Sequence, residues 1–146
     1  MNKIRFINIS VLVLLHTSLF GQHIYQVDCY ALPWNFRIEG QITDSLVRNY
    51  KGYSRITSIK DSLSLIDFAA SLSLPTLYPD TISKRRFDPR VVIDIWISYP
   101  QKKGNEDTPY KRVVMLNERK QILCEGIRYH RSDLFIAWLH SNQFIE

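Results

Sequence analysis

The chain has few of the residues that build the common catalytic and metal-binding motifs. Its 146 residues include only five glycines, which are scattered, so no glycine-rich loop for cradling phosphate is present. The G-x-S-x-G motif of a serine nucleophile on a tight turn is also absent. No two histidines or cysteines have the close spacing of a local metal site. The sequence therefore predicts neither a metal nor a cofactor.

The amino terminus has the three parts of a secretory signal peptide. Two basic residues stand within the first six positions, residues 7–15 are mostly apolar, and Gly21 precedes a polar residue. The apolar run is shorter than the about 20 residues that a membrane-spanning helix needs. We expect residues 1–21 to be a cleaved signal peptide. Residues 22–146 would then be a single globular domain, periplasmic or secreted, with no transmembrane span in the mature form.

The excess of positive charge is small. The whole chain has a formal net charge of +5, but losing Lys3 and Arg5 with the leader leaves 17 basic and 14 acidic residues, a net of +3. Nucleic-acid binding needs basic residues clustered on one face, and neither this charge nor export favours it. Hydrophobic content of 45% and charged content of 23% are typical of a folded globular domain. We therefore expect no nucleic-acid partner.

Only two cysteines occur, Cys29 and Cys124, and both lie after the leader. Because exported proteins fold in oxidising compartments, we expect these two residues to form a disulfide. The alternative is a pair of separate buried thiols, since free cysteine packs well in protein cores. Spacing along the sequence does not show whether the two side chains come within bonding distance.

Alternation of apolar and polar residues predicts several short strands. The predicted strands are residues 25–31, 34–42, 90–99, 110–116, 120–124 and 127–129. The strongest of them is 90–99, in which every second residue from Val91 to Ile97 is a β-branched apolar residue. Residues 46–56 fit a helical turn followed by a short strand, and their assignment stays open.

Two helices complete the prediction. The first follows a capping box formed by Ser58 and Asp61 and ends before Pro75. Its expected inward stripe consists of Ile59, Leu63, Ile66 and Ala70, joined by Leu65, Ala69 and Leu72. The second is capped by Ser132 and closes the chain. We expect an α+β fold, a small antiparallel sheet of about five to six strands with two helices packed mainly on one face.

Asp94 and Trp96 form one candidate site. They share the polar face of the strongest predicted strand, where Trp96 offers a plate for stacking a ligand. The alternative is the half-solvated outer face of an antiparallel sheet, with Asp94 paired to a cross-strand Arg112 or Arg128. The sequence shows no general-acid partner for this carboxylate.

A second candidate site is the predicted long loop over residues 75–89. It carries Lys84, Arg85 and Arg86, and Arg90 follows where the strand begins. This basic run is suited to an acidic partner or an anionic envelope surface, and loops held by a rigid scaffold often carry recognition. The alternative is a solvated loop that keeps a strand edge soluble.

The function predicted from these features is that of an exported, non-enzymatic binding or interaction domain. Its candidate binding residues are Lys84, Arg85, Arg86, Arg90, Asp94 and Trp96. Its partner would be an exported or envelope protein, or an anionic surface. One alternative is a small secreted hydrolase that uses Cys124 with His130 as nucleophile and base, although such sites are recognised by geometry and not by sequence position. Another alternative is a structural subunit of an envelope assembly.

Overall fold

The computed structural model describes residues 23–50, 55–72, 77–82, 85–98 and 109–145. The expected signal peptide and Lys84 lie outside these residues. Among the residues described, no helix is both long and apolar enough to cross a membrane.

A six-stranded antiparallel sheet forms the centre of the described structure. The strands, in chain order, are β1 (His23–Ala31), β2 (Arg55–Ile59), β3 (Pro89–Ser98), β4 (Tyr110–Asn117), β5 (Ile122–Cys124) and β6 (Ile127–Tyr129). Across the sheet their order is β2-β1-β3-β4-β5-β6, so β3 lies near the middle between β1 and β4. The helices are α1 (Asp44–Asn49), α2 (Ser62–Ser71) and α3 (Asp133–Ser141). The predicted α+β fold with a small antiparallel sheet is confirmed.

One face of the sheet is covered by α2 and α3, as predicted. The alternate apolar residues of β3 from Val91 to Ile97 point into this first core. Phe68 of α2 packs edge-on against Trp138 of α3, with ring centroids 5.0 Å apart. Ser132 caps α3 as predicted, because its hydroxyl accepts a hydrogen bond from the Phe135 backbone N–H.

The opposite face carries a second, smaller core under α1 and the loop that precedes it. This core consists of Leu32, Phe36, Ile42, Val47 and Val92. The Thr43 hydroxyl caps α1 by accepting the Leu46 backbone N–H. The open segment 46–56 thus contains the end of a short helix and the start of β2. A third helix therefore covers part of the face that the sequence left to solvent.

The prediction of a strand over residues 34–42 is wrong. Phe36 donates its backbone N–H to the Pro33 carbonyl at 3.0 Å, which turns the chain, and Gly40 has a φ of +104°, outside the strand region. Trp34 packs against the first core, whereas Phe36 and Ile42 enter the second. The alternating pattern therefore reflects a loop whose side chains are buried in two different cores.

The expected inward stripe of α2 is wrong at Leu63, Ile66 and Ala70, which are exposed. Asp61 alone is the N-cap, because its carboxylate accepts the Ser64 backbone N–H, while Ser58 belongs to β2. Leu65, Phe68 and Leu72 are buried, whereas Leu63 and Ile66 are exposed. Both faces of this helix are apolar enough to be buried. The large Phe68 ring, packed among the aromatic rings of α3, occupies the core side.

The predicted disulfide is not formed, and Cys29 and Cys124 are both buried in the reduced state. The two cysteines lie in the same row across the sheet, with two strands between them. Along that row the order is Cys29 of β1, Ile93 of β3, Val114 of β4 and Cys124 of β5. Three strand spacings of about 4.8 Å place the two cysteine Cα atoms about 14 Å apart. A disulfide needs Cα atoms closer than about 7 Å, so the sheet itself keeps the two thiols apart.

We expect both cysteines to be reduced but slow to react in the folded protein. A thiol reagent should label two groups per chain after unfolding, and much less in native buffer, because both side chains are buried. Intact mass before and after reduction provides the second measurement. A gain in mass on reduction of the monomer would contradict the register given above.

Candidate functional site

Asp94 is buried on the second face of β3, with only 2% of its surface exposed. Arg48 of α1 binds its carboxylate with two hydrogen bonds, from Nη2 to Oδ1 at 2.5 Å and from Nε to Oδ2 at 3.1 Å. Lys111 Nζ lies 3.3 Å from Oδ2. The expected partners are wrong: Arg112 pairs with Glu125, and Arg128 donates to a backbone carbonyl. Asp94 therefore joins a helix to the sheet and is not half-solvated.

Sequence reasoning missed Arg48 because it lies in the segment whose structure stayed open. A local signal was present, since Asp44 and Arg48 have the i,i+4 spacing of a helical ion pair. In the structure Arg48 Nη1 contacts Asp44 Oδ2 at 2.7 Å. The pairing with Asp94, which is 46 residues away in sequence, leaves no such local pattern.

Asp28 lies directly opposite Asp94 in the β1–β3 register. Like charges in this position repel, so each carboxylate needs its own donors. Asp28 accepts hydrogen bonds from Ser58 Oγ at 2.5 Å, Trp96 Nε1 at 2.7 Å, and Gln26 Nε2 at 2.8 and 2.9 Å. Burial by itself raises the pKa of Asp28, but the hydrogen bonds from Ser58, Gln26 and Trp96 outweigh it and hold that pKa below its usual value.

The two carboxylates form a satisfied polar network rather than an open dyad. Every oxygen of Asp28 and Asp94 accepts at least one hydrogen bond. Trp96 is partly exposed, but its N–H is used by Asp28, and the Lys111 ammonium lies 5.6 Å from its ring centroid. A fully satisfied buried network of this kind rigidifies the fold. These carboxylates therefore offer little to a ligand.

A basic cleft opens at the end of the sheet where β3 begins and β4 ends. We call it the arginine cleft; it has a volume of about 140 Å³ and is lined by Arg85, Arg86, Asp88, Asn117, Glu118, Arg119 and Gln121. Two of the predicted binding residues, Arg85 and Arg86, are therefore part of it. The sequence predicts the turn between β4 and β5, but it did not indicate that Glu118 and Arg119 of this turn belong to the site.

The walls of the arginine cleft are held by hydrogen bonds. Arg86 Nη2 donates to the Gly40 carbonyl at 3.1 Å and to Asp88 at 3.0 Å. Arg128 donates to the Arg85 carbonyl at 2.6 Å. In the β4–β5 turn, Asn117 Oδ1 accepts backbone N–H groups from two residues further along the turn. The arginines are thus presented by a fixed frame.

Arg90 lies beside this cleft with its side chain only 5% exposed. Among the described residues, no acceptor is hydrogen-bonded to its Nε or Nη1. Its Nη2 lies 3.7 Å from Glu118 Oε2, and Arg37 Nη1 lies 3.8 Å from the same oxygen. Burial lowers the pKa of Arg90 from its usual value, which reflects the weak compensation of this cation.

A second, larger cleft adjoins Arg37. We call it the aromatic cleft; its volume is about 340 Å³, and it is lined by Pro33, Asn35, Phe36, Arg37 and Tyr50. The rings of Phe36 and Tyr50 meet edge to face with centroids 4.9 Å apart. Arg37 therefore borders the aromatic cleft and also contacts a residue of the arginine cleft.

The state of the Cys124 thiol gives little support to the cysteine–histidine alternative. Burial, with a smaller contribution from Glu125, raises the pKa of the Cys124 thiol to about 11. Little thiolate, the nucleophilic form, is then present near neutral pH. No group of three metal-ligating side chains in the described ranges could hold a metal ion.

Comparisons of the chain with models of known protein families, with curated protein sequences and with solved structures find no match. The candidate site is defined by its own geometry. It consists of the arginine cleft, together with Arg37 and Arg90 at its border.

We expect Arg48→Met to lower the free energy of unfolding by about 3 kcal/mol, because it leaves Asp94 buried with one partner fewer. The double variant Arg48→Met/Asp94→Leu should recover most of that loss, since neither charge remains buried. Urea unfolding at neutral pH measures both. Arg131→Met, which removes an exposed pair with Asp133, is the control and should change stability by less than about 0.5 kcal/mol. Equal losses in the single and double variants would contradict this account.

Asp28→Asn should make the free energy of unfolding fall less steeply as the pH is lowered into the acid range. Because the folded-state pKa of Asp28 lies below its usual value, the carboxylate stabilises the fold above that value, and this stabilisation is lost as the pH falls through the folded-state pKa. Urea unfolding at pH 5 and pH 3 should therefore show a smaller drop for the variant than for the wild type. The control is Asp67→Asn, at an exposed position of α2, which should keep the wild-type drop.

Proposed function

We propose that this protein is an exported, non-enzymatic binding domain that recognises an acidic protein partner through the arginine cleft. The observation that carries the proposal is an excess of arginine over carboxylate at one end of the sheet. Three arginines and two carboxylates line the cleft, and two further arginines, Arg37 and Arg90, contact one of those carboxylates from outside.

Arginine suits such a role better than lysine does. Its guanidinium group is planar and binds carboxylates with two parallel hydrogen bonds. Arg86, which is held by the Gly40 carbonyl and by Asp88, loses little conformational freedom on binding, which favours affinity. Arg86 and Arg128 both donate to backbone carbonyls around the cleft, so the frame exists before a partner arrives.

The shape of the site favours a protein segment over a lipid surface. The cleft is concave, and Arg90 lies almost buried at its border. A carboxylate on a flexible side chain can enter such a cleft, whereas the headgroup plane of a bilayer meets only the outermost cations. An anionic envelope surface is therefore a separate outcome of the experiment below.

The chemistry available in the described structure supports binding over catalysis. Asp28 and Asp94, the pair of buried carboxylates, are fully hydrogen-bonded. The Cys124 thiol is protonated near neutral pH. Export is part of this proposal and rests on the leader-like pattern of the first 21 residues.

We expect Arg119→Glu, and separately Arg85→Glu, to weaken partner binding at least about tenfold, because each places a like charge against the partner's acid. The control is Lys60→Glu, which makes the same change in charge at an exposed residue next to β2, the strand at one edge of the sheet. Immobilised mature protein is incubated with an envelope extract, and the proteins that it retains are identified by mass spectrometry. The wild type and Lys60→Glu should retain an acidic exported protein that both cleft variants lose.

Three outcomes would overturn this proposal. Equal retention by all four proteins would remove the cleft as the contact. Binding to phosphatidylglycerol vesicles that needs Arg119, with no acidic protein retained, would assign the cleft to the envelope surface instead. Turnover of a cell-wall, peptide or ester substrate that one point substitution abolishes would contradict the non-enzymatic role.

A further inference from the structure

We infer that Glu118 occupies the position of a partner's carboxylate. On binding, an aspartate or glutamate from an acidic peptide segment of the partner displaces Glu118 from Arg37 and Arg90. An apolar side chain close to that acid then enters the aromatic cleft. This inference rests on the proposed function and identifies the feature that the partner must present.

Glu118 is held weakly enough to be displaced. Its carboxylate oxygen lies 3.7 Å from Arg90 and 3.8 Å from Arg37, both longer than a hydrogen bond. Its side chain is 51% exposed and lies on the turn after β4, so rotation about its own bonds carries it into solvent. The pair with Arg37, in which both side chains are exposed, is of the kind that contributes little to stability.

Arg90 supplies the reason for a partner's carboxylate to replace Glu118. Its guanidinium is nearly buried, and two of its nitrogens lack a hydrogen-bonded acceptor among the described residues. A buried charge with so little compensation is costly, and a carboxylate that approaches Arg90 more closely than the 3.7 Å of Glu118 relieves more of that cost. Nη2 of Arg90 and Nη1 of Arg37 already face a common oxygen, so a ligand oxygen in that position gains both donors.

Arg37 lies between the position of the partner's acidic side chain and the aromatic cleft. Its side chain is 71% exposed, and the same residue lines the aromatic cleft beside Phe36 and Tyr50. An acid held by Arg37 therefore places the neighbouring residues of its chain next to that cleft. Aromatic walls with a charged group at the border fit a leucine or an aromatic residue close to an acid.

The test uses two fluorescein-labelled peptides of equal length and charge, one of glutamate and leucine and one of glutamate and serine. Binding to the mature domain is measured by fluorescence anisotropy. Glu118→Gln removes the competing carboxylate and should bind the leucine peptide about 5- to 10-fold more tightly than the wild type does.

Glu125→Gln is the matched control. Glu125 is a turn glutamate with 46% exposure, it pairs with Arg112 at 3.3 Å, and its loss changes the net charge by the same amount. Its affinity for the leucine peptide should stay within about twofold of the wild type. A thermal melt of each variant checks that the fold is retained.

The outcomes separate this inference from the proposed function. If the leucine peptide binds equally well to the wild type and to Arg119→Glu, the proposed function fails. If binding needs Arg119 but Glu118→Gln binds no more tightly than Glu125→Gln, displacement of Glu118 is wrong while the proposed function stands. If the serine peptide binds as tightly as the leucine peptide, the assignment of the aromatic cleft is wrong.

Discussion

The ion pair between Arg48 and Asp94 is the interaction on which the second face of this protein depends. A carboxylate buried in the middle of a sheet is tolerated only when a cation compensates it, and removing one partner of such a pair is strongly destabilising. Arg48 meets this need only if α1 lies against β3, so the pair fixes the position of α1. The loop before α1 is then held by its own apolar residues, Phe36 and Ile42, in the second core. That arrangement brings Arg37 to the border of both clefts.

The two groups of charges in this domain are built differently. In the acidic network every oxygen has a donor, so the network stabilises the fold and offers little to a ligand. Around the arginine cleft the positive charge is in excess, and the carboxylate shared by Arg37 and Arg90 reaches neither at hydrogen-bond distance. Departures from full satisfaction are expected where a protein meets a ligand. This contrast leads us to place recognition in the cleft rather than on the face that Asp94 and Trp96 share.

Local sequence patterns correctly predicted those elements whose apolar residues all face the same core or whose ends carry a clear turn or cap. The apolar row of β3, the turns that follow β4 and β5, and the Ser132 cap of α3 all occur where the sequence indicates. Apolar patterns were misleading in segments whose side chains are buried in two different cores, or whose two faces are both apolar. Residues 34–42 alternate like a strand because their apolar side chains serve two cores, and α2 is apolar on both sides, so periodicity alone selected the wrong face. The prediction of a disulfide was wrong for a related reason. An even number of cysteines suggests a bond, but the order of the strands sets the distance between the two cysteines.

For the site, the sequence by itself determined that a basic run precedes the central strand, and that no motif for common catalysis accompanies it. Both conclusions follow from residues that stand close together in the sequence, so no tertiary structure is needed for them. Only the tertiary structure decided which charges meet. In the folded protein Arg48 pairs with Asp94, and Asp28 lies opposite Asp94 on the next strand. Arg37 and Arg90 both lie near Glu118. Such contacts arise from strand register and from the cost of burying charge, and both join residues that lie far apart along the chain.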